Sequence, residues 1–134
     1  MGDGLTFNLA ETPVHLGLGG TVVRQEVFSG DMNWYQRYGE RTAADGAEGR
    51  LVSVHTFSEP WDSWEMHPHG EELVLCTEGT ITLYQEVDGV AHTVTISAGE
   101  AAINPPGVWH TADVTGQATV LFITAGKGTE NRPR

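Results

Sequence analysis

Thiols are nearly absent from this chain, with Cys76 as its only cysteine. That excludes an intrachain disulfide framework and a thiolate zinc knuckle, and leaves Cys76 as a small buried hydrophobe in a strand. A nucleophilic role lacks support, because no basic residue lies near it in sequence to lower its pKa. Positive charge is scarce as well: seven Lys and Arg stand against 18 Asp and Glu, for a net charge of -11. No two of the basic residues are adjacent, so nothing in the chain reads as a partner for nucleic acid or for an anionic membrane. There is no apolar run long enough to span a bilayer and no positively charged apolar leader, which makes the cytoplasm the default expectation. Met1-Gly2 with Thr6 matches the short myristoylation pattern, but nothing polybasic accompanies it and it reads as chance. No serine sits in a nucleophile elbow. The glycines of LGLGG, residues 16–20, precede a strand instead of following one, which removes a phosphate-binding loop.

What the chain does have is glycine, 17 residues of it, with only six prolines in 134 residues. One domain of that length buries a real core. Strand patterns recur with turns every eight to twelve residues. Residues 1–19 read as an N-terminal arm, in which His15 makes a surface or arm contact. Residues 20–28 have the β-branched content of a first strand. Asp31 is placed to cap a single helical turn carrying Trp34, Tyr35 and Tyr38. From Leu51 to Phe57 the pattern alternates, with Ser53, His55 and Phe57 facing inward. Residues 80–87 and 90–96 flank Asp88-Gly89, the strongest hairpin signal in the chain, since a type I′ turn needs two residues at positive φ. His92 shares a face with Val94 and Ile96 and reads as a core or edge histidine. Residues 20–126 form the domain, and the C-terminal tail, 127–134, lacks apolar residues and is expected to fray. This is an all-β antiparallel sandwich or barrel with at most a short helical turn.

Chemistry concentrates in residues 61–79, WDSWEMHPHGEELVLCTEG, where Glu65, His67, His69, Glu71 and Glu72 fall together. Imidazole beside carboxylate suits a first-row transition metal; the bland alternative is a charged loop entering an ordinary strand. Glu65 and His67 are two apart, so on a strand they point to one face. Glu72 would face away on an unbroken strand, but Pro68 and Gly70 can break it and let Glu72 re-enter facing the interior. Trp61, Trp64, Trp109 and Phe57 cluster around these residues and would wall an apolar cavity for a small organic molecule.

A second stretch, Gly99 to His110, sharpens this. Gly99, Pro105, Gly107 and His110 are separated by five, one and two residues, and Glu72 and Gly79 by six. With the first stretch, this resembles the cupin superfamily, whose fold is a jelly-roll β-barrel. The family's second motif ends on Asn where this chain has Val114. Its first motif begins with two histidines two apart; here Glu65 stands in the first position and His67 in the second, a WEMHP-type variant. A competing alignment takes His67 and His69 as the pair and shortens the turn that follows. The resemblance implies a divalent transition metal (Fe, Mn, Ni, Co or Zn) held by Glu65, His67, Glu72 and His110, with His69 or His55 handling a proton. It implies an oxygenase, isomerase or lyase acting on a small molecule. The alternatives are a non-enzymatic cupin module that binds a small molecule or a metal, and a metal-free isomerase or epimerase; Glu65 could instead pair with Arg37, Arg41 or Arg50. A homodimer is also implied, with residues 20–28 as the pairing edge.

Overall fold

A computed structural model describes residues 6–134, so Met1 and Gly2 lie outside the described residues. Eleven strands follow in chain order: β1 (Val14–Leu16), β2 (Val22–Arg24), then helix α1 (Met32–Arg41), β3 (Arg50–Phe57), β4 (Ser63–Met66), β5 (Glu72–Glu78), β6 (Thr80–Val87), β7 (Val90–Ser97), β8 (Ala101–Asn104), β9 (Trp109–Val114), β10 (Ala118–Thr124) and β11 (Glu130–Pro133). They build two antiparallel sheets, one ordered β2-β1-β3-β10-β5-β8 and the other β11-β4-β9-β6-β7. The result is an all-β jelly-roll barrel. No helix among the described residues is long and apolar enough to cross a membrane.

The period of two along each strand explains how the barrel fills. Inward rows run Val74, Cys76 on β5; Ile81, Leu83 on β6; Ala112, Val114 on β9; and Ala118, Val120, Phe122 on β10, and together they form the core. Continued one step along the same faces, these rows reach Glu72 on β5, Gln85 on β6, His110 on β9 and Thr124 on β10. One end of the barrel is therefore packed with hydrocarbon and the other is lined with polar side chains. The hairpin at Asp88-Gly89 forms as expected, with φ of 53° and 78° at its two residues and Val87 paired to Val90.

Several local expectations are corrected. The single helical turn after Asp31 is a ten-residue helix, although the Asp31 carboxylate does cap it by accepting from the Trp34 N–H at 2.9 Å. Its length comes from elsewhere: Trp34 is fully buried, and Arg37 and Arg41 on one face both bind Glu26 in the preceding segment. Residues 20–28 contribute only the three-residue β2, because β1, part of the N-terminal arm, lies between it and β3. His15 on β1 makes no surface contact. It is 3% exposed, with its Nδ1 2.7 Å from the Tyr38 hydroxyl and its Nε2 2.6 Å from Asp45. His92 is exposed on β7, the sheet's edge. Residues 127–134 do not fray; they include β11, which pairs with β4.

Candidate metal centre

The polar end of the barrel draws its side chains from both sheets. Glu65 on β4 is the Cα partner of His110 on β9, which sets their side chains next to each other on one inner face. His67 follows the end of β4, in a turn whose position is held by the Gly107 N–H donating to the His67 carbonyl at 2.9 Å. The turn after it, containing Pro68 and Gly70, carries the chain across to the opposite sheet, so Glu72 enters β5 facing the same interior. A Cβ on Gly70 would collide with that of Ala125, so only glycine lets this turn pass.

Within this interior the His67 Nε2 lies 3.3 Å from Glu72 Oε2, and the His110 Nε2 lies 3.3 Å from Glu72 Oε1 and 3.8 Å from Glu65 Oε1. The two imidazole centroids are 5.0 Å apart. Ligand atoms of Glu65, His67 and His110 all fall within 4.8 Å of one another. His67, Glu72 and His110 are buried, while the Glu65 side chain keeps 35% of its surface and marks the open side.

Hydrogen bonds decide which face each ring presents. The Thr129 hydroxyl donates to the Gly126 carbonyl at 2.7 Å, so its oxygen accepts from the His67 Nδ1, 2.8 Å away. The His110 Nδ1–H donates to the Val108 carbonyl at 3.3 Å. Both Nδ1 atoms therefore carry a proton, which leaves both Nε2 atoms pointing at the Glu72 carboxylate. Neither Nε2 has a hydrogen-bond partner among the described residues, although both are buried. Three groups rich in lone pairs converge on one buried spot, an arrangement that a cation or a shared proton would reconcile. Glu72 is itself fixed, accepting from Asn104 Nδ2 at 2.9 Å and from the Thr124 hydroxyl at 2.6 Å, and Asn104 is held in turn by Gln85 at 2.8 Å. The donor set, two imidazoles with carboxylates, suits a first-row divalent metal.

Electrostatics agree. Burial alone would raise the Glu72 carboxyl, yet the adjacent His67 imidazole, the charge of His110 and the Thr124 hydroxyl hold it below its ordinary value. For His110, burial pulls downward but is outweighed by the nearby Glu65 carboxylate and the charge of Glu72, so its pKa is raised. Desolvation lowers the pKa of His55 against the opposing charge of Glu65. Burial, reinforced by Glu65 and Glu72, pushes the Tyr35 hydroxyl up to about 12.

Around the cluster stands an aromatic chain. Phe28 contacts His55 (5.1 Å between centroids) and Tyr35 (5.7 Å); His55 reaches Phe57 and Phe122; Trp61 packs on Phe57, Phe122 and His110. The structure thus brings Glu65, His67, Glu72 and His110 together with His55 at the wall. It leaves His69 exposed beside Gly128, outside the cluster. Trp64 and Trp109 do not wall the interior; each alternates with a ligand residue on its strand, and their rings flank Arg132 instead. Tyr35, from the aromatic cluster of α1 that reads in sequence as packing with one edge open to a pocket, joins this wall; Phe28, in the segment before α1, carries no local signal for it. Asn104, Thr124 and Thr129 were missed because nothing local marks them; for Asn104 and Thr124, a polar residue closing an inward apolar row was the one available signal. A cavity of about 450 Å³ lies away from this centre, lined by His15, Gln25, Arg41 and Asp45 among others. Its polar groups already pair with one another, Arg41 with Gln25 and His15 with Asp45.

The cupin domain matches residues 53–126. Among solved structures, peruvianin-I, a cysteine peptidase from Thevetia peruviana latex, superposes with a TM-score of 0.52 at 23% identity, over 63% of this chain and 55% of that one. Oxalate oxidase in complex with the substrate analogue glycolate gives 0.53 at 15% identity, over 60% of this chain and 45% of that one. A second oxalate oxidase structure gives 0.52 at 16%, over 60% and 44%. This chain spans about half the length of these proteins, and at such identities the likeness is one of fold. No curated protein sequence matches it.

Proposed function

The chain belongs to the cupin domain family, and on that premise we propose that it holds one divalent transition metal and acts on a small organic molecule. His67 and His110 bind through Nε2, Glu72 through its carboxylate, and Glu65 from the open side. The observation that carries this reading is the pair of buried Nε2 atoms, each turned inward by a protonated Nδ1 and each without a partner among the described residues. When bound, the metal supplies a Lewis acid that polarises an oxygen of the substrate.

The surrounding residues do the rest. Phe28, Tyr35, Phe57 and Phe122 keep water from the centre and offer flat apolar contact to a small organic substrate. Trp61 Nε1 is a buried donor with no acceptor among the described residues, available to a substrate oxygen. His55, whose charged form is disfavoured by burial, is the group placed to take up a proton. His69, exposed, has no such part. We also propose a homodimer through the β2 edge, where Val22 and Val23 are 66% and 49% exposed; a monomer by sedimentation at micromolar concentration refutes it.

Elemental analysis of untagged protein, before and after titration with Mn, Fe, Co, Ni or Zn, tests the metal reading. One equivalent is expected, lost in His67→Ala and His110→Ala; a substoichiometric trace untouched by either substitution sinks it. The 3.3 Å spacing of the His110 Nε2 and the Glu72 carboxylate, which suits a shared proton, favours one other reading, a metal-free isomerase moving protons through His and Glu. Turnover that survives a strong chelator selects that one.

A further inference from the structure

We infer that residues 125–134 are a strap that sets the metal-binding form of the centre, with Thr129 as the residue that positions His67. The inference rests on the metal reading above.

Thr129 is held rigidly. Its N–H and its hydroxyl both donate to the Gly126 carbonyl, at 3.1 and 2.7 Å, and Gly128 between them has φ of 76°, a left-handed conformation that glycine adopts without strain. With its own proton committed, the Thr129 oxygen acts only as an acceptor toward His67 Nδ1 at 2.8 Å. That contact keeps the proton on Nδ1 and the lone pair on Nε2, where the metal needs it. A side chain of the same shape without the oxygen leaves the imidazole free to carry its proton on Nε2, the tautomer that cannot bind.

The same strap supports the second ligand strand. β4 pairs with β9 at one position only, Glu65 with His110, but with β11 at four, from Glu130–Met66 to Pro133–Ser63. Most of the pairing that places Glu65 is therefore supplied by the strap. Its outer end is anchored by charge: Arg132 lies 4.5 Å over the Trp109 ring and 5.2 Å over Trp64, and Arg134 bonds Asp113 at 2.7 Å. Both tryptophans sit on the strands that carry Glu65 and His110, so the strap grips the backs of the two ligand strands while Thr129 reaches the third ligand.

The test compares Thr129→Val with Thr129→Ser. In metal-free, 15N-labelled protein, long-range 1H–15N spectra report the His67 tautomer; competition with a chromophoric chelator reports affinity for Co2+ and Zn2+. Thr129→Val is expected to shift His67 away from the Nδ1–H tautomer and to weaken metal binding by about 10–100-fold. Thr129→Ser is expected to restore both, with both variants melting as cooperatively as the parent. An unchanged tautomer and affinity in Thr129→Val overturns the proposal, as does a serine variant as defective as the valine one. Should Thr129→Val fail to fold, Thr129→Ala carries the same comparison. If the parent itself binds no metal, the metal reading falls, while the tautomer comparison still decides the role of Thr129.

Discussion

Glu72 is the group through which the centre and the fold are most tightly joined, and two substitutions there should separate their contributions. In Glu72→Ala, Asn104 Nδ2 and the Thr124 hydroxyl lose their acceptor together, inside a site where Glu72 is 3% exposed. Each orphaned buried donor costs about 1–3 kcal/mol, and breaking a buried charge pair from one side costs about 3–5 kcal/mol in all. For a domain of 134 residues the unfolding entropy makes 1 kcal/mol worth roughly 3–4 °C, so the melting temperature should fall by about 9–20 °C. Glu72→Gln behaves differently. Its carbonyl still accepts from Asn104, and its amide nitrogen, in the place of Oε2, can donate one proton to the His67 Nε2 that Oε2 approaches to 3.3 Å and the other to the Thr124 oxygen, whose own proton must turn elsewhere. A charge-assisted bond is exchanged for a neutral one, a loss of about 1–2 kcal/mol, and a buried charge is removed at the same time. The metal-free Gln variant should melt within about 5 °C of the parent. Its metal affinity should nevertheless fall at least as far as the roughly 100-fold upper range for losing an outer partner, because a ligand is gone. Calorimetry of the metal-free proteins and chelator competition read the two quantities. Equal losses of melting temperature, or parental affinity in Glu72→Gln, would refute the reasoning.

The same electrostatics give a pH dependence with a definite sign. Glu72, held below its ordinary 4.5, contributes stability that is present above 4.5 and lost as pH falls through its folded value. His110, raised above 6.5, contributes stability present below 6.5 and lost as pH rises through its folded value. Metal-free protein should therefore be most stable between those limits and weaken above 6.5, whereas metal affinity should climb over the same rise as His110 gives up its proton; chemical denaturation and metal titration across pH check the divergence. Trp34→Ala should cost about 3–5 kcal/mol in urea unfolding, since Trp34 is the fully buried residue of α1 and its Nε1 bonds the Glu26 carbonyl. His69→Ala should change neither stability, beyond about 0.5 kcal/mol, nor metal affinity; a tenfold loss of affinity would return His69 to the centre.

How much of this was readable beforehand follows the range of the interactions. Alternation within single strands exposes the inward rows, and the spacing of Glu72 to Gly79 and Gly99 to His110 places two polar residues at the ends of such rows. Those are local facts: the antiparallel all-β pattern follows from the alternation, while the jelly-roll barrel and the gathering of Glu65, His67, Glu72 and His110 follow from the family resemblance that the spacing carries. Alternation also carried the information that Trp64 and Trp109 face away from the centre; grouping them by nearness in sequence discarded it. α1 and β11 could not be read this way. α1 carries Gly39 and the weaker helix formers Asn33, Trp34, Tyr35 and Tyr38, and its Arg37 and Arg41 reach Glu26, 11 and 15 residues back. The strand in residues 130–133 buries little hydrocarbon; it exists because β4 has an open edge and because two indole rings accept Arg132. The contact between His67 and Thr129 spans 62 residues of chain. A local pattern can say that a histidine faces a barrel, but which of its nitrogens faces inward is set by whatever touches the other one. Here that is a threonine in the least hydrophobic stretch of the chain, so the property that makes His67 a ligand is a tertiary one.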